Sequence, residues 1–189
     1  MNYLLEVQGL KLLGTGAEGS VYTTPEGYAL KVFKNIKNAK DEEEILKNTT
    51  DSKFFPNNII RISNILIREC VNGINLMQYI EKNGLSKDLS KEIIDLIEDF
   101  KRLKFKRINI RNAHIFVNSK GKIKVIDPRK PYTKVTPYPK DIIKILVKYH
   151  VFDKFLKDIL EYNPSLLDYW TSAYDYLAKP RTKRIYRYG

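Results

Sequence analysis

A glycine-rich segment near the start of the chain constrains the fold more than any other feature. Gly14, Gly16 and Gly19 follow the pattern G-x-G-x-x-G, and residues 21–24 behind them are the β-forming run Val-Tyr-Thr-Thr. A dinucleotide-binding turn with this pattern opens a helix directly after its last glycine. A β-forming run that leads into a Pro-Glu-Gly turn at 25–27 predicts instead that the glycines join two strands of a hairpin.

The segment that follows has the pattern of a third strand. Residues 28–34 alternate in polarity and carry Lys31 between apolar neighbours. One known class of nucleotide-binding lobe has this order of elements: strand, glycine loop, strand, turn and lysine-bearing strand. The alternative interpretation is a Gly-rich hairpin that binds no ligand. A short charged helix is predicted at 39–48, with acids at 41–44 in its first turns, near the positive end of the helix dipole.

Length and composition predict a globular protein. A chain of 189 residues with 43% hydrophobic residues can bury one sizeable core, or two small lobes that share a cleft. No window of membrane-spanning length is free of charge, and the N-terminus lacks a basic segment followed by an apolar run. We therefore expect a soluble, cytoplasmic protein without a membrane partner. The single cysteine, Cys70, fits a reducing compartment.

Positive charge is unevenly distributed along the chain. The net charge is +12, and basic residues are concentrated at 101–111, 120–130 and 179–189. In the last of these segments they alternate with Tyr186 and Tyr188. Basic residues interleaved with aromatic ones predict binding to RNA or another polyanion. A solvated basic surface that keeps the protein soluble is the alternative interpretation.

A second motif follows a long amphipathic helix predicted at 86–105, itself preceded by a shorter helix at 75–83. Residues 105–128 read as a loop, a strand, a Ser-Lys-Gly turn and a second strand that ends in Asp127. Helices are then predicted at 139–149, 152–161 and 164–177. A strand-rich start followed by a helical remainder predicts an α+β fold.

Together these motifs resemble the protein-kinase superfamily over roughly residues 10–150. The chain looks most similar to minimal, atypical bacterial and archaeal Ser/Thr kinases, such as the right-open-reading-frame kinases and the small kinase of the tRNA threonylcarbamoylation complex. The resemblance implies a two-lobed fold. Residues 1–71 would form an N-lobe with a five-stranded sheet, 72–178 a reduced helical C-lobe, and 179–189 a basic tail.

The resemblance also implies that ATP binds between the lobes with Mg²⁺ or Mn²⁺. The three loop glycines would let the backbone approach the phosphates, and Lys31 would contact them. A glutamate on the charged helix would hold Lys31. The spacing before an apolar pair selects Glu42 for this role, with Glu43 and Glu44 as alternatives.

The same resemblance implies where the nucleotide base would bind. Val21 and Ala29 would be among the nucleotide-binding residues, and the backbones of Glu69 and Val71 would face the edge of adenine. Arg68 takes the position that controls access to the back of the pocket, where an arginine would narrow or reshape it.

The catalytic loop departs from the family pattern. Asp127 matches the metal-binding aspartate, but Asn109 replaces the usual catalytic aspartate and His114 replaces the metal-binding asparagine. A neutral amide can position a hydroxyl but hardly accepts its proton, so we expect weak Ser/Thr transfer, autophosphorylation or no transfer, with nucleotide binding retained. His114 is either a metal ligand, for which imidazole favours ions softer than Mg²⁺, or a strand-start residue. Asp141 resembles the aspartate that braces this loop.

Three alternatives to an active protein kinase remain open. The chain could be a pseudokinase that serves as a nucleotide-binding scaffold for a protein partner. It could be a small-molecule phosphotransferase, although such enzymes surround the acceptor with acids and this loop is basic. It could also be an RNA-associated accessory protein that uses the basic tail. Only about ten residues separate Asp127 from the next predicted helix, so regulation by a long activation loop is not expected.

Overall fold

The first part of the chain folds into an antiparallel sheet in the computed structural model, which describes residues 7–57 and 59–178. Its strands are β1 (Lys11–Thr15), β2 (Gly19–Thr23), β3 (Tyr28–Phe33), β4 (Ile60–Ile62) and β5 (Ile65–Glu69). Their order in the sheet is β1-β2-β3-β5-β4. The number of strands agrees with the prediction, and the α+β class is confirmed. Residues 1–6 of the predicted N-lobe and the predicted tail 179–189 lie outside the described residues.

Helix α1 (Ile36–Lys47) connects β3 to β4 and begins three residues before the predicted start. The side chain of Asn35 caps it by accepting a hydrogen bond from the Lys37 backbone N–H at 2.8 Å. The first turn consequently contains no acid. The prediction that the acids 41–44 occupy the first turns near the positive end of the dipole is therefore wrong, and their positions need another explanation.

The remainder of the chain is mainly helical. A small sheet of β6 (Ile74–Asn75), β7 (Ile115–Val117) and β8 (Ile123–Val125) lies beside the helices. Together with α1, the described residues contain six α-helices. The other five are α2 (Leu76–Asn83), α3 (Lys87–Arg102), α4 (Lys140–Lys148), α5 (Phe152–Tyr162) and α6 (Leu167–Ala178). We call residues 7–71 the sheet part and residues 72–178 the helical part.

Local signals account for most of the helix boundaries. Asn75 and Ser86 cap α2 and α3 through side-chain oxygens that accept backbone N–H groups at 3.0 and 3.1 Å. Helix α3 ends at Arg102, three residues before the predicted end, because the chain turns at Lys104, whose φ is +57°. The predicted helix at 164–177 is a short 3-10 turn, Pro164–Leu166, that continues into α6.

One hydrophobic core extends through both parts of the chain. Phe54 and Phe55, between α1 and β4, are almost completely buried. The Phe55 ring lies 6.0 Å from that of Phe100 and 5.9 Å from that of Phe105. The Phe54 carbonyl accepts a hydrogen bond from the Val125 N–H at 2.7 Å. This shared core holds the sheet against the loop that follows α3. Within the described ranges, no helix is long and apolar enough to cross a membrane.

Candidate functional site

A cleft of about 910 Å³ lies between the sheet part and the helical part. It is bounded by the glycine loop at 14–19, by one face of α1 and by side chains from the segment 105–134. Three of the predicted nucleotide-binding residues, Ala29, Glu69 and Val71, are not among the described residues that line it. The other predicted site residues all line it: Gly14, Gly16, Gly19, Val21, Lys31, Glu42, Asn109, His114 and Asp127.

The three loop glycines have different roles in the structure. A Cβ atom on Gly19 would clash with the Val32 carbonyl oxygen, so the close approach of β2 to β3 requires glycine there. Among the described residues, a Cβ on Gly14 would meet nothing within 4 Å, and one on Gly16 would only reach the Gly19 oxygen at 4.0 Å. Gly19 is therefore required by the sheet, while Gly14 and Gly16 leave open space beside the cleft.

Strand pairing places several predicted residues on the same face of the sheet. Lys31 is directly opposite Val21 on β2 and opposite Leu66 on β5, while Ala29 is opposite Arg68. Directly paired residues share a face, and so do residues two apart on one strand. All five side chains therefore project toward the same side, which for Val21, Lys31 and Arg68 is the wall of the cleft.

Lys31 lies between two carboxylates at the base of the cleft. Its Nζ is 2.5 Å from Glu42 Oε2 and 3.1 Å from Asp127 Oδ1. Lys31 and Glu42 are only 7% and 5% exposed. Burial raises the pKa of the Glu42 carboxyl, and the positive charge of Lys31 opposes this rise. We call these three residues the buried charge cluster. It presents an ammonium group with fixed orientation to whatever occupies the cleft.

Only one of the three candidate glutamates on α1 faces Lys31. Glu42 lies on the buried side of the helix. Glu43 instead pairs with Arg61 at 2.5 Å and with Lys47 at 2.8 Å, and Glu44 is exposed. The positions of Glu42 and Glu43 thus follow from ion pairing with the sheet and with α1 itself, and not from the helix dipole.

The backbone at Asp127 adopts an uncommon conformation. Its φ is +52°, in the left-handed region that aspartate tolerates better than most residues but that still carries strain of about 1–3 kcal/mol. The turn directs the Asp127 carboxylate back toward the sheet. Besides Lys31, it lies 3.5 Å from His114 Nδ1 and 3.7 Å from Arg129 Nε. Strain of this kind is common at functional sites.

The donor set near Asp127 is compatible with a hard divalent cation. One oxygen each from Glu18, Glu42 and Asp127 lies within 4.8 Å of the others. Carboxylate oxygens are the ligands that Mg²⁺ prefers, whereas the neighbouring His114 imidazole suits softer ions. Glu42 and Asp127 both pair with Lys31, but Glu42 is nearly buried, whereas the Glu18 and Asp127 carboxylates are partly exposed and could hold such an ion. Sequence reasoning missed Glu18, although an acid inside the glycine loop was a usable signal. Glu18 also forms an ion pair with Arg129.

The side chain of Asn109 is held by the start of α4. Its Nδ2 donates to Asp141 Oδ1 at 3.4 Å, and its Oδ1 accepts from the Asp141 N–H at 2.8 Å. Both ends of the amide are therefore used to join the loop to the first turn of α4. Asn109 lines the cleft in this arrangement, and its amide offers no group that can accept a proton.

Both backbone groups of Glu69 already have hydrogen-bond partners. Its N–H donates to the Asn57 carbonyl at 2.9 Å, and its carbonyl accepts from Arg68 Nη1 at 2.9 Å. The Arg68 side chain lines the cleft instead. Among the described residues, the cleft is therefore lined at this point by the Arg68 side chain and not by Glu69.

Part of the predicted basic surface forms the rim of the cleft. Lys122 and Lys124, from the predicted segment 120–130, instead form ion pairs with Glu92 and Glu69 at 3.0 Å each. Their charge is thereby partly neutralised. The basic rim consists of Arg107, Arg111, Arg129 and Lys130, from the predicted segments, and of Lys134, which lies outside them.

The chain matches no protein-family model and no curated protein sequence. The functional assignment therefore depends on the geometry of the cleft.

Proposed function

We propose that this chain is a two-lobed, protein-kinase-like protein that binds a nucleoside triphosphate in the cleft and transfers its γ-phosphoryl group slowly to a Ser or Thr hydroxyl. The observation that carries the proposal is the buried charge cluster of Lys31, Glu42 and Asp127 beneath an open glycine loop. Buried ion pairs are on average no more stabilising than apolar residues of the same volume. A cluster of this kind that lines a cleft therefore favours a role in binding.

Each member of the cluster has a role that its contacts support. A bound nucleotide–magnesium complex would supply the phosphoryl group and neutralise the charge of the phosphates. Lys31 can donate hydrogen bonds to phosphate oxygens while Glu42 keeps its ammonium in place. Asp127 and Glu18 would hold the ion through carboxylate oxygens, and the open space at Gly16 admits the phosphates.

The acceptor side of the cleft supports slow transfer. Asn109 can orient a hydroxyl, but it cannot take the proton, which would pass to a phosphate oxygen or to water. The rate would therefore depend on positioning and charge neutralisation alone. Arg111, Lys130 and Lys134 on the basic rim are exposed, which favours an acceptor that carries anionic groups near its hydroxyl. A protein bound to RNA, or an acidic segment of a protein, has this character.

The contact between Asn109 and Asp141 favours a second candidate function. Because both ends of the Asn109 amide are engaged, the chain could serve as a nucleotide-binding pseudokinase that acts as a cytoplasmic scaffold for a protein or RNA partner. This candidate predicts that nucleotide stabilises the protein against heat without any turnover.

The test measures transfer or release of labelled γ-phosphate, with ATP and GTP in separate reactions and with Mg²⁺ or Mn²⁺. Lys31→Met is compared with Lys34→Met, which changes an exposed lysine three residues away. We expect transfer that is abolished in Lys31→Met and retained in Lys34→Met.

A thermal shift measured on the same samples separates the outcomes. A nucleotide-dependent shift without label transfer would select the pseudokinase. Equal transfer by both variants would refute the assignment of Lys31, and neither shift nor transfer with either nucleotide would refute both candidate functions.

A further inference from the structure

Arg68 is a buried arginine whose side chain lines the cleft. It lies on β5 and is only 4% exposed. Its pairing with Ala29 places it on the same face of the sheet as Lys31, and its side chain lines the cleft. Because arginine is charged at any physiological pH, the protein keeps a full positive charge at this position.

The guanidinium of Arg68 is incompletely satisfied. Nη1 donates to the carbonyl of Glu69 at 2.9 Å, while Nε is buried and has no hydrogen-bond partner among the described residues. A buried donor without a partner destabilises the folded state. Because all five N–H groups of an arginine side chain are donors, a ligand in the cleft can pair with the Arg68 guanidinium only through an acceptor.

The chemistry of the base edge determines which ligand fits. Guanine presents two adjacent acceptors, O6 and N7, and arginine binds this pair through two hydrogen bonds. Adenine presents the N7 acceptor beside a 6-amino donor, which would oppose the guanidinium.

We propose that Arg68 makes the base site of this cleft select a 6-oxopurine nucleotide over a 6-aminopurine nucleotide. This inference rests on the proposed function, since it concerns the base of the nucleotide that the cleft would bind. In this arrangement Arg68 determines the specificity for GTP over ATP, and the buried charge cluster binds the phosphates.

The test is titration calorimetry of the full chain with GTP, ITP, ATP and inorganic tripolyphosphate, each with Mg²⁺. ITP shares the 6-oxo group of GTP but lacks its 2-amino group, so it isolates the contact with O6. We expect GTP and ITP to bind more tightly than ATP by roughly 5- to 150-fold, the discrimination typical of a good two-bond arginine–guanine contact. Arg68→Met should reduce this ratio to about one.

Arg102→Met is the matched control, because Arg102 is at the exposed end of α3, outside the cleft, and should retain the preference. Arg68→Lys keeps a charge but loses the planar fork, so it should lose most of the preference even if Arg68→Met does not fold.

Two results with the unmodified chain would overturn the inference alone. The first is that ATP binds as tightly as GTP or more tightly. The second is that tripolyphosphate binds as tightly as GTP, which would show that the protein does not contact the base. Binding of none of the three nucleotides would overturn the proposed function together with the inference.

Discussion

Replacement of Lys31 by methionine should destabilise the protein through the carboxylates it leaves behind. With an effective dielectric constant of about 20, the Lys31–Glu42 pair at 2.5 Å contributes roughly 6–7 kcal/mol of gross attraction. Oxygens of Glu42 and Asp127 lie within 4.8 Å of each other, so the two negative charges repel by about 3.5 kcal/mol or more once Lys31 is gone. Removal of one partner from a buried ion pair typically costs about 3–5 kcal/mol. We expect Lys31→Met to lower the free energy of unfolding by that amount at pH 8.

The size of this decrease should depend on pH. Burial raises the pKa of Glu42 in the folded protein above its ordinary value of 4.5, which applies to the unfolded chain. At a pH between these two pKa values, Glu42 is protonated in the folded protein and ionised in the unfolded chain. Between those two pKa values, the free energy of unfolding therefore falls as pH rises. Without Lys31, the pKa of Glu42 rises further and this window widens. The deficit of Lys31→Met should consequently shrink as the pH is lowered from 8 to 5.

Urea denaturation followed by circular dichroism, at pH 8 and pH 5, measures these differences. The unmodified chain and Lys31→Met are compared with Glu42→Gln and with the double variant, which completes a double-mutant cycle. In the double variant, Glu42→Gln should restore most of the stability that Lys31→Met removes, because only the Asp127 charge then remains. A deficit that is equal at both pH values and is not relieved by Glu42→Gln would refute the reasoning.

Three further outcomes are expected. Gly19→Ala should lower the melting temperature strongly, because its Cβ would meet the Val32 oxygen. Gly16→Ala should change the free energy of unfolding by less than about 0.5 kcal/mol but weaken nucleotide binding. Thermal denaturation measures the first effect and calorimetry the second, and equal melting temperatures of the two variants would contradict the distinction. Asn109→Asp should restore a proton acceptor and thereby raise the rate of γ-phosphate transfer by about 100-fold. An unchanged rate in the labelled-phosphate assay would favour the pseudokinase. Deletion of residues 179–189 should weaken the salt dependence of binding to single-stranded RNA. The slope of the logarithm of the binding constant against the logarithm of the salt concentration should change by about 0.7 for each phosphate that the tail neutralises. An identical slope would argue against the tail as a polyanion site.

Much of the fold could be predicted because its signals are local. The hairpin at the glycines and the strand that carries Lys31 follow from alternation and turn residues. The predicted start of α1 was three residues late, although Asn35 is a good capping residue and the apolar Ile36 follows it directly. Asn75 and Ser86 show that the same kind of capping signal does mark helix starts elsewhere in this chain.

The candidate site was predicted less completely. The glycines, Lys31 and Asp127 stand in motifs with characteristic spacing, and the structure brings all of them to one cleft. Glu18 and Arg129 were not assigned to the site, because their pairing joins the glycine loop to a segment more than a hundred residues later. No local pattern encodes such an ion pair.

The amino-acid sequence by itself determined the α+β class, the strand-rich start, the helical remainder and the residues that carry charge. These follow from periodicity, capping and turn chemistry, which act over a few residues. The sequence favoured Glu42 over Glu43 and Glu44 as the partner of Lys31, but only the tertiary structure decided between them. It also showed that the Arg68 side chain lines the cleft while its Nε is buried without a partner among the described residues. Both depend on packing between distant segments: Lys31 and Asp127 are 96 residues apart in the chain, and the shared core around Phe55 brings their segments together.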